Sequence, residues 1–164
     1  MSKTEKNLAE AFAGESQANR KYLAFAKKAE EEGLSQVARL FRAAAAAETV
    51  HAHAHLRVLG GIGSTADNLK EAIGGETHEF TAMYPQMIED AKKEGNKEAQ
   101  MSFMYANAVE KIHADLYKKA ADAMADHAET IYFVCDVCGN TVEGEAPDRC
   151  PICGMDKSHF MKID

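Results

Sequence analysis

From about residue 2 to residue 128, apolar residues recur at steps of three and four. That is the period of one helix face, and the pattern breaks at glycines. The spacing predicts a first helix from about Thr4 to Glu32, stopped by Gly33. A second takes Ser35 as its N-cap and stops at Gly60-Gly61. A Gly-, Ser- and Thr-rich loop is expected over Gly60 to Asn68, then a third helix over roughly Leu69 to Glu94, interrupted at Gly74-Gly75 and Pro85. After a Gly95-Asn96 turn, a fourth helix runs from Lys97 to about Glu129. Four helices with two tight turns and one longer crossover describe a four-helix bundle. From Ile131 the texture changes to a short β-like run, Ile131-Tyr-Phe-Val, then turn residues and a closing Phe160-Met-Lys-Ile163. The expected domains are therefore residues 1–129 and 130–164.

The bundle half repeats internally. Ala11-Phe-Ala-Gly-Glu15 echoes Ile73-Gly-Gly-Glu76, each followed by a tyrosine, Tyr22 and Tyr84, seven or eight positions on. Glu48-Thr-Val-His51-Ala echoes Glu110-Lys-Ile-His113-Ala. Glu15 to Glu48 spans 33 positions and Glu76 to Glu110 spans 34, which points to two helix hairpins about a pseudo-twofold axis.

Those glutamates interrupt apolar stripes. Glu15 falls among Leu8, Phe12, Tyr22 and Phe25, while Glu48 and His51 continue the face of Val37, Phe41 and Ala44. Glu76 and Glu79 lie among Leu69, Ile73, Phe80, Met83 and Met87, and Glu110 and His113 lie between Phe103, Ala106 and Tyr117. A buried carboxylate without a partner costs several kcal/mol, so it protonates or finds a cation. No Lys or Arg lies on these stripes near the glutamates. A Glu from each of two helices plus Glu-x-x-His from each of the other two is the ligand set of carboxylate-bridged di-metal bundles. Hard oxygen donors with two imidazoles suit iron or manganese. A lone Glu on an Ala-rich helix ordinarily faces solvent, and it is the coincidence of both motifs in one repeat register that argues otherwise. Glu79 has no counterpart in the first half, where Ala18 stands. His53 and His55 read as a polar helix face, and His78, His127 and His159 as surface histidines.

Composition narrows the class. The 164-residue chain is Ala-rich, with no Trp and three Pro, which favours helix over a many-stranded β fold. With 26 acidic against 19 basic residues and a net charge of −7, neither nucleic acid nor an anionic membrane is an expected partner. There is no signal-peptide pattern and no 18-residue apolar run, so the expected compartment is the cytoplasm. All four cysteines come late, as Cys135-x-x-Cys138-Gly and Cys150-Pro-x-Cys153-Gly. In a reducing compartment two such pairs are metal ligands before they are disulfides. Glycine after each second cysteine permits the positive φ that turns backbone N–H groups toward sulfur. Zinc and iron both accept four thiolates, so the metal stays open at this point. A module of this size needs its metal to fold.

Taken in order, Ala-Gly-Glu15 with Tyr22, Glu48-x-x-His51, Gly-Glu76-x-x-Glu79 with Met83-Tyr84-Pro85, Glu110-x-x-His113 and the two cysteine knuckles resemble the rubrerythrin family, over nearly the whole chain. Asn140 stands where the family's knuckle often carries an aromatic. The resemblance implies an all-α ferritin-like four-helix bundle with a small C-terminal rubredoxin-like β domain. It implies a non-haem peroxidase that reduces hydrogen peroxide to water in oxidative-stress defence. Glu15, Glu48, Glu76, Glu79, Glu110, His51 and His113 would hold an oxo- or hydroxo-bridged di-iron centre. Cys135, Cys138, Cys150 and Cys153 would hold a mononuclear iron that passes electrons to it. One iron would move between Glu79 and His51 as the redox state changes. Near-neutrality of the site in both states makes that exchange sensible: two ferric ions and an oxide nearly balance five carboxylates, and two ferrous ions balance four. Tyr22 and Tyr84 fall near the centre, as hydrogen-bond donors to ligating glutamates or as aromatic core. No dinucleotide fingerprint follows a strand, so NAD(P)H electrons would arrive through a separate flavoprotein reductase or rubredoxin. A homodimer is implied, with helices exchanged between subunits in some members. A ferroxidase or other iron-handling protein, and a redox sensor, are the rival readings.

Overall fold

The computed structural model describes residues 1–124 and 129–163. Its elements are α1 (Lys3–Glu31), α2 (Ser35–Val58), α3 (Thr65–His78), a π-helical turn (Glu79–Met83), α4 (Tyr84–Lys93) and α5 (Lys97–Asp122). They are followed by β1 (Tyr132–Cys135), β2 (Thr141–Glu143), a 3-10 turn (Lys157–His159) and β3 (Phe160–Ile163). The chain forms two compact units, Met1–Gly63 and Ser64–Asp164.

The first unit is the α1–α2 hairpin. Ser2 and Glu5 close a capping box at its start, and Gly33, at φ 75°, makes the turn between the helices. Ser35 is the first helical residue rather than the cap, which falls on Leu34 without a side-chain bond. The buried seam is alanine, with Ala26 and Ala29 on α1 and Ala38, Ala45 and Ala52 on α2. Small side chains let two helix backbones approach closely, and three aromatic rings cluster toward the turn end of the hairpin. There Phe25 meets Phe41 edge-on at 5.5 Å, and Tyr22 sits 6.2 Å from Phe41. Asn19 fixes the register by donating from Nδ2 to the Ala45 carbonyl at 2.7 Å and to Thr49 Oγ1 at 2.8 Å.

In the second unit, α3 and α4 each pack on α5. Helix α3 starts at Thr65, because the Ser64 hydroxyl caps it by accepting from the Asp67 N–H. The expected loop to Asn68 is correspondingly shorter. The interruption expected at Gly74-Gly75 does not occur there, since both glycines are helical. It occurs at Glu79–Met83, where the Tyr84 N–H reaches back to the Glu79 carbonyl in a wide π turn. Pro85 supplies the cause. It has no N–H to give and its ring crowds the preceding turn, and the wider turn ahead of it relieves the crowding. A π turn absorbs about one extra residue. That explains why Tyr84 follows Glu76 by eight positions while Tyr22 follows Glu15 by seven. Helix α5 is capped by the Asn96 side chain and ends at Asp122, short of the expected Glu129. Residues 125–128, with His127, lie outside the described residues.

Strands β2-β1-β3 form one antiparallel sheet, with Phe133 opposite Val142 and Cys135 opposite Phe160. Its core is Cys135, Ala146, Cys150 and Phe160, with Phe133, Val142 and Ile152 packed around it. Asn140 is 1% exposed, and its amide oxygen and nitrogen have no hydrogen-bond partner among the described residues. Among the described residues no helix is long and apolar enough to cross a membrane.

Candidate metal centres

The two cysteine pairs form hairpin knuckles of the same shape. Gly139 (φ 80°) donates to the Cys135 carbonyl at 2.8 Å, and Gly154 (φ 78°) to the Cys150 carbonyl at 2.9 Å. Both glycines therefore take the positive φ expected of them. Cys135 and Cys153 sulfurs are 3.7 Å apart and those of Cys138 and Cys150 3.5 Å, so no disulfide is present. A tetrahedral ion with metal–sulfur bonds of about 2.3 Å requires sulfur–sulfur edges of roughly 3.8 Å. The 3.7 and 3.5 Å separations are close to that figure, and all four sulfurs lie within 4.8 Å of one another. Without a cation, burial pushes the Cys138 and Cys153 thiols up. Burial acts in the same sense on Cys150, but hydrogen bonds from the Cys153 and Ile152 N–H groups and from the Cys138 and Cys153 thiols together bring that thiol down to about 7. A thiolate set of this kind is completed by a metal.

The glutamates and histidines gather in two clusters, each within one unit. On the hairpin, Glu15 of α1 meets Glu48 and His51 of α2, with one ligand atom from each within 4.8 Å of the others. His51 Nδ1 is 2.8 Å from Glu48 and 4.0 Å from Glu15. The Asn19 clamp, one turn along from Glu15 and bonded to Thr49 beside Glu48, holds the two helices in the register that brings these residues together. In the second unit, Glu76 of α3 meets Glu110 and His113 of α5 within the same 4.8 Å limit. His113 Nδ1 is 2.8 Å from Glu110 and 3.7 Å from Glu76. Burial, then the adjacent Glu110 charge, raises the Glu76 carboxyl above its usual range, with His113 acting in the opposite sense. Among the described residues no Lys or Arg pairs with any of these four glutamates. Two carboxylates and one imidazole converging on a point, with no resident cation, fit a hard divalent or trivalent metal.

Glu79 begins the π turn and stands outside the Glu76–Glu110–His113 cluster. Tyr84 lies among these carboxylates: burial first, then Glu79, Glu110 and Glu76, raises its phenol, which keeps its proton. Its ring also packs 6.3 Å from Phe103. Tyr22 belongs to the aromatic end of the hairpin. His53 and His55 join neither cluster.

The cysteine module rests on α5 through His113 and through Thr141, Lys119, Glu143 and Val109, which the sequence did not single out. His113 Nε2 is 2.9 Å from Thr141 Oγ1, and that hydroxyl donates to the Gly139 carbonyl at 3.1 Å. Lys119 pairs with Glu143 at 2.5 Å, and Val109 lies beneath Gly139.

Comparison with known proteins agrees with this inventory. The family model described as rubrerythrin matches residues 6–121, and the rubrerythrin rubredoxin-like domain matches residues 133–161. Rubrerythrin-2 of Clostridium acetobutylicum is 39% identical over 93% of this chain and 92% of its own. Nigerythrin of Nitratidesulfovibrio vulgaris is 35% identical, covering 96% and 85%, and rubrerythrin of Porphyromonas gingivalis 37%, covering 97% and 89%. A solved structure of nigerythrin in a partially reduced state superimposes with a TM-score of 0.61 at 34% identity, over 99% of this chain and 88% of that one. The fold is the ferritin-like helical bundle with a rubredoxin-like module, and the cofactors are a di-iron centre and a four-cysteine iron. The chain belongs to the rubrerythrin family of iron-dependent oxidoreductases.

Proposed function

We propose that this protein is a peroxidase that reduces hydrogen peroxide to water, drawing electrons from an external donor through the four-cysteine iron. The observation that carries the reading is the seating of the cysteine module on α5, the helix that bears Glu110 and His113. A ferroxidase or iron store has no use for a one-electron thiolate site bonded to a carboxylate-centre ligand. Electron delivery does.

Within this reading, Glu15, Glu48, His51, Glu76, Glu79, Glu110 and His113 supply the di-iron ligands, and Cys135, Cys138, Cys150 and Cys153 those of the mononuclear iron. The di-iron centre supplies the two electrons that peroxide cleavage consumes. The chain's own side chains do the rest. Tyr84, held protonated by burial and three nearby carboxylates, is placed to donate a hydrogen bond to one of them when it ligates. Tyr22 serves as aromatic core at the far end of its hairpin. Glu79, outside its neighbouring cluster, and His51, whose ring is 55% exposed, are the ligands free enough to take part in redox exchange. Residues 1–129 form the oxygen-chemistry domain and 130–164 the electron-entry domain. Thiolates kept unoxidised suit the cytoplasm, and the donor is a rubredoxin or a flavoprotein reductase acting on a homodimer.

The test is iron content per chain with an optical spectrum taken before and after peroxide. Expected are both a mononuclear and a dinuclear iron, with a thiolate-to-iron band that appears on oxidation. Zinc on the cysteines, or iron accumulating far beyond these sites, overturns the proposal in favour of a structural module or a store.

A further inference from the structure

The Thr141 hydroxyl is aimed between two groups of different kinds, and the direction of its bonds follows from their chemistry. It donates its single proton to the Gly139 carbonyl, so toward His113 it can only accept. In the metal-free structure Nδ1 of His113 donates to the Glu110 carboxylate at 2.8 Å, and a metal ion taking that place on Nδ1 leaves the ring proton to Nε2, 2.9 Å from the Thr141 oxygen that can accept it. The neutral imidazole protonated at Nε2 is the tautomer whose Nδ1 lone pair can bind a metal, and Nδ1 is the atom that faces Glu110 and Glu76. We infer that Thr141 is a positioning residue for the carboxylate metal centre, its hydroxyl holding the His113 ring in place and accepting the Nε2 proton of the tautomer that ligates through Nδ1. The inference rests on reading Glu76, Glu110 and His113 as metal ligands.

The bond also joins the two metal sites. The Gly139 carbonyl that takes the Thr141 proton belongs to the same peptide unit as the Asn140 N–H, and that N–H bonds the Cys138 sulfur. A continuous chain therefore runs from Cys138 through the Gly139–Asn140 peptide and Thr141 to His113. The hairpin cluster has no such device. His51 makes its ring contacts through Nδ1, and no bond to its Nε2 is found among the described residues.

The test compares the parent protein with Thr141→Val, which keeps the shape and removes the hydroxyl, and Thr141→Ser, which keeps the hydroxyl. The four-cysteine site is first filled with Zn(II), and Co(II) is then titrated into the carboxylate centre. Supporting partners of metal-bound histidines are worth about 10- to 100-fold in metal affinity. Thr141→Val is expected to weaken Co(II) binding about tenfold and to abolish the slowly exchanging, hyperfine-shifted Nε2–H resonance of His113, while Thr141→Ser retains both. Parent-like affinity and resonance in Thr141→Val overturn the assignment, as does a Thr141→Ser variant no better than Thr141→Val. Failure of the parent to bind Co(II) overturns both this assignment and the ligand reading beneath it. Because metal binding and a ring proton are the readouts, a protein inert toward peroxide still yields the answer.

Discussion

The Glu15–Glu48–His51 and Glu76–Glu110–His113 clusters are built from one repeated motif, yet they are supported differently. In both, a Glu-x-x-His pair on one helix meets a Glu on its neighbour, and the histidine lies 2.8 Å from the glutamate one turn away. The first is held within its own hairpin by the Asn19 clamp and an alanine seam. The second is braced by the cysteine module, which fixes His113 from behind, and it has an additional carboxylate, Glu79, on the adjoining π turn. The side chain of His51 is 55% exposed and that of His113 28%. The internal repeat carries two equivalent ligand sets. The cysteine module and one inserted helical residue distinguish the second half from the first.

The harshest way to break this comparison is to remove the metal from the cysteines. The small module has few buried apolar residues, and structural metal binding is worth about 10 kcal/mol or more to domains of this kind. Cys150→Ser is expected to strip amide-exchange protection from β1, β2 and β3 and to loosen His113, while the Asn19–Ala45 contact between α1 and α2 keeps its protection. Equal loss in both units would mean the bracing is not local.

The histidines should separate next. His113→Ala is expected to weaken Fe(II) binding at the carboxylate centre by more than about 100-fold, the upper end for losing even a supporting partner. His51→Ala should cost about tenfold or less in the same anaerobic titration. A smaller effect is expected for Glu79→Ala, which lies outside the three-residue cluster: iron loading near that of the parent, with peroxide turnover slowed about tenfold. Unchanged turnover would make the additional carboxylate irrelevant.

The mildest effect is on pH dependence. In the metal-free protein the Glu76 carboxyl titrates above its ordinary value, first through burial and then through Glu110. Its contribution to stability is therefore complete below the ordinary carboxylate pKa and is lost as pH rises through the raised one. A bound cation reverses the preference by favouring the ionised form. Measured by thermal unfolding, the parent and Glu76→Gln should converge in acid without metal, with the parent becoming the less stable as pH rises. The gain on adding Co(II) should grow with pH in the parent and be smaller, with a shallower rise, in the variant.

Much of this was legible in the chain because the strongest signals were violations of pattern. Glutamates within apolar stripes and paired Cys-x-x-Cys knuckles have few alternative explanations, and the helix starts and stops followed from glycines and caps within a few residues. The misses have physical reasons. Gly74-Gly75 looks like a break in sequence, but helical glycines with nothing crowding them cost little when α3 is packed on α5. The real irregularity was encoded as a one-residue mismatch between the repeats with Pro85 just beyond it, visible only once both spacings are set side by side. Asn19 and Thr141 carry no signal in sequence. Each acts through a contact distant along the chain, and a polar residue on a helix or strand looks the same whether it bonds a backbone carbonyl or water.

The most direct test of the central claim is a rapid-mixing experiment on the iron-loaded, anaerobically reduced protein, with the ferric-thiolate absorption of the four-cysteine site followed after addition of hydrogen peroxide or of dioxygen. Expected is reoxidation far faster with peroxide, with the thiolate signal following oxidation of the carboxylate centre and slowed by Thr141→Val. Equal rates with the two oxidants, or a carboxylate centre that oxidises while the thiolate iron stays ferrous, would contradict it.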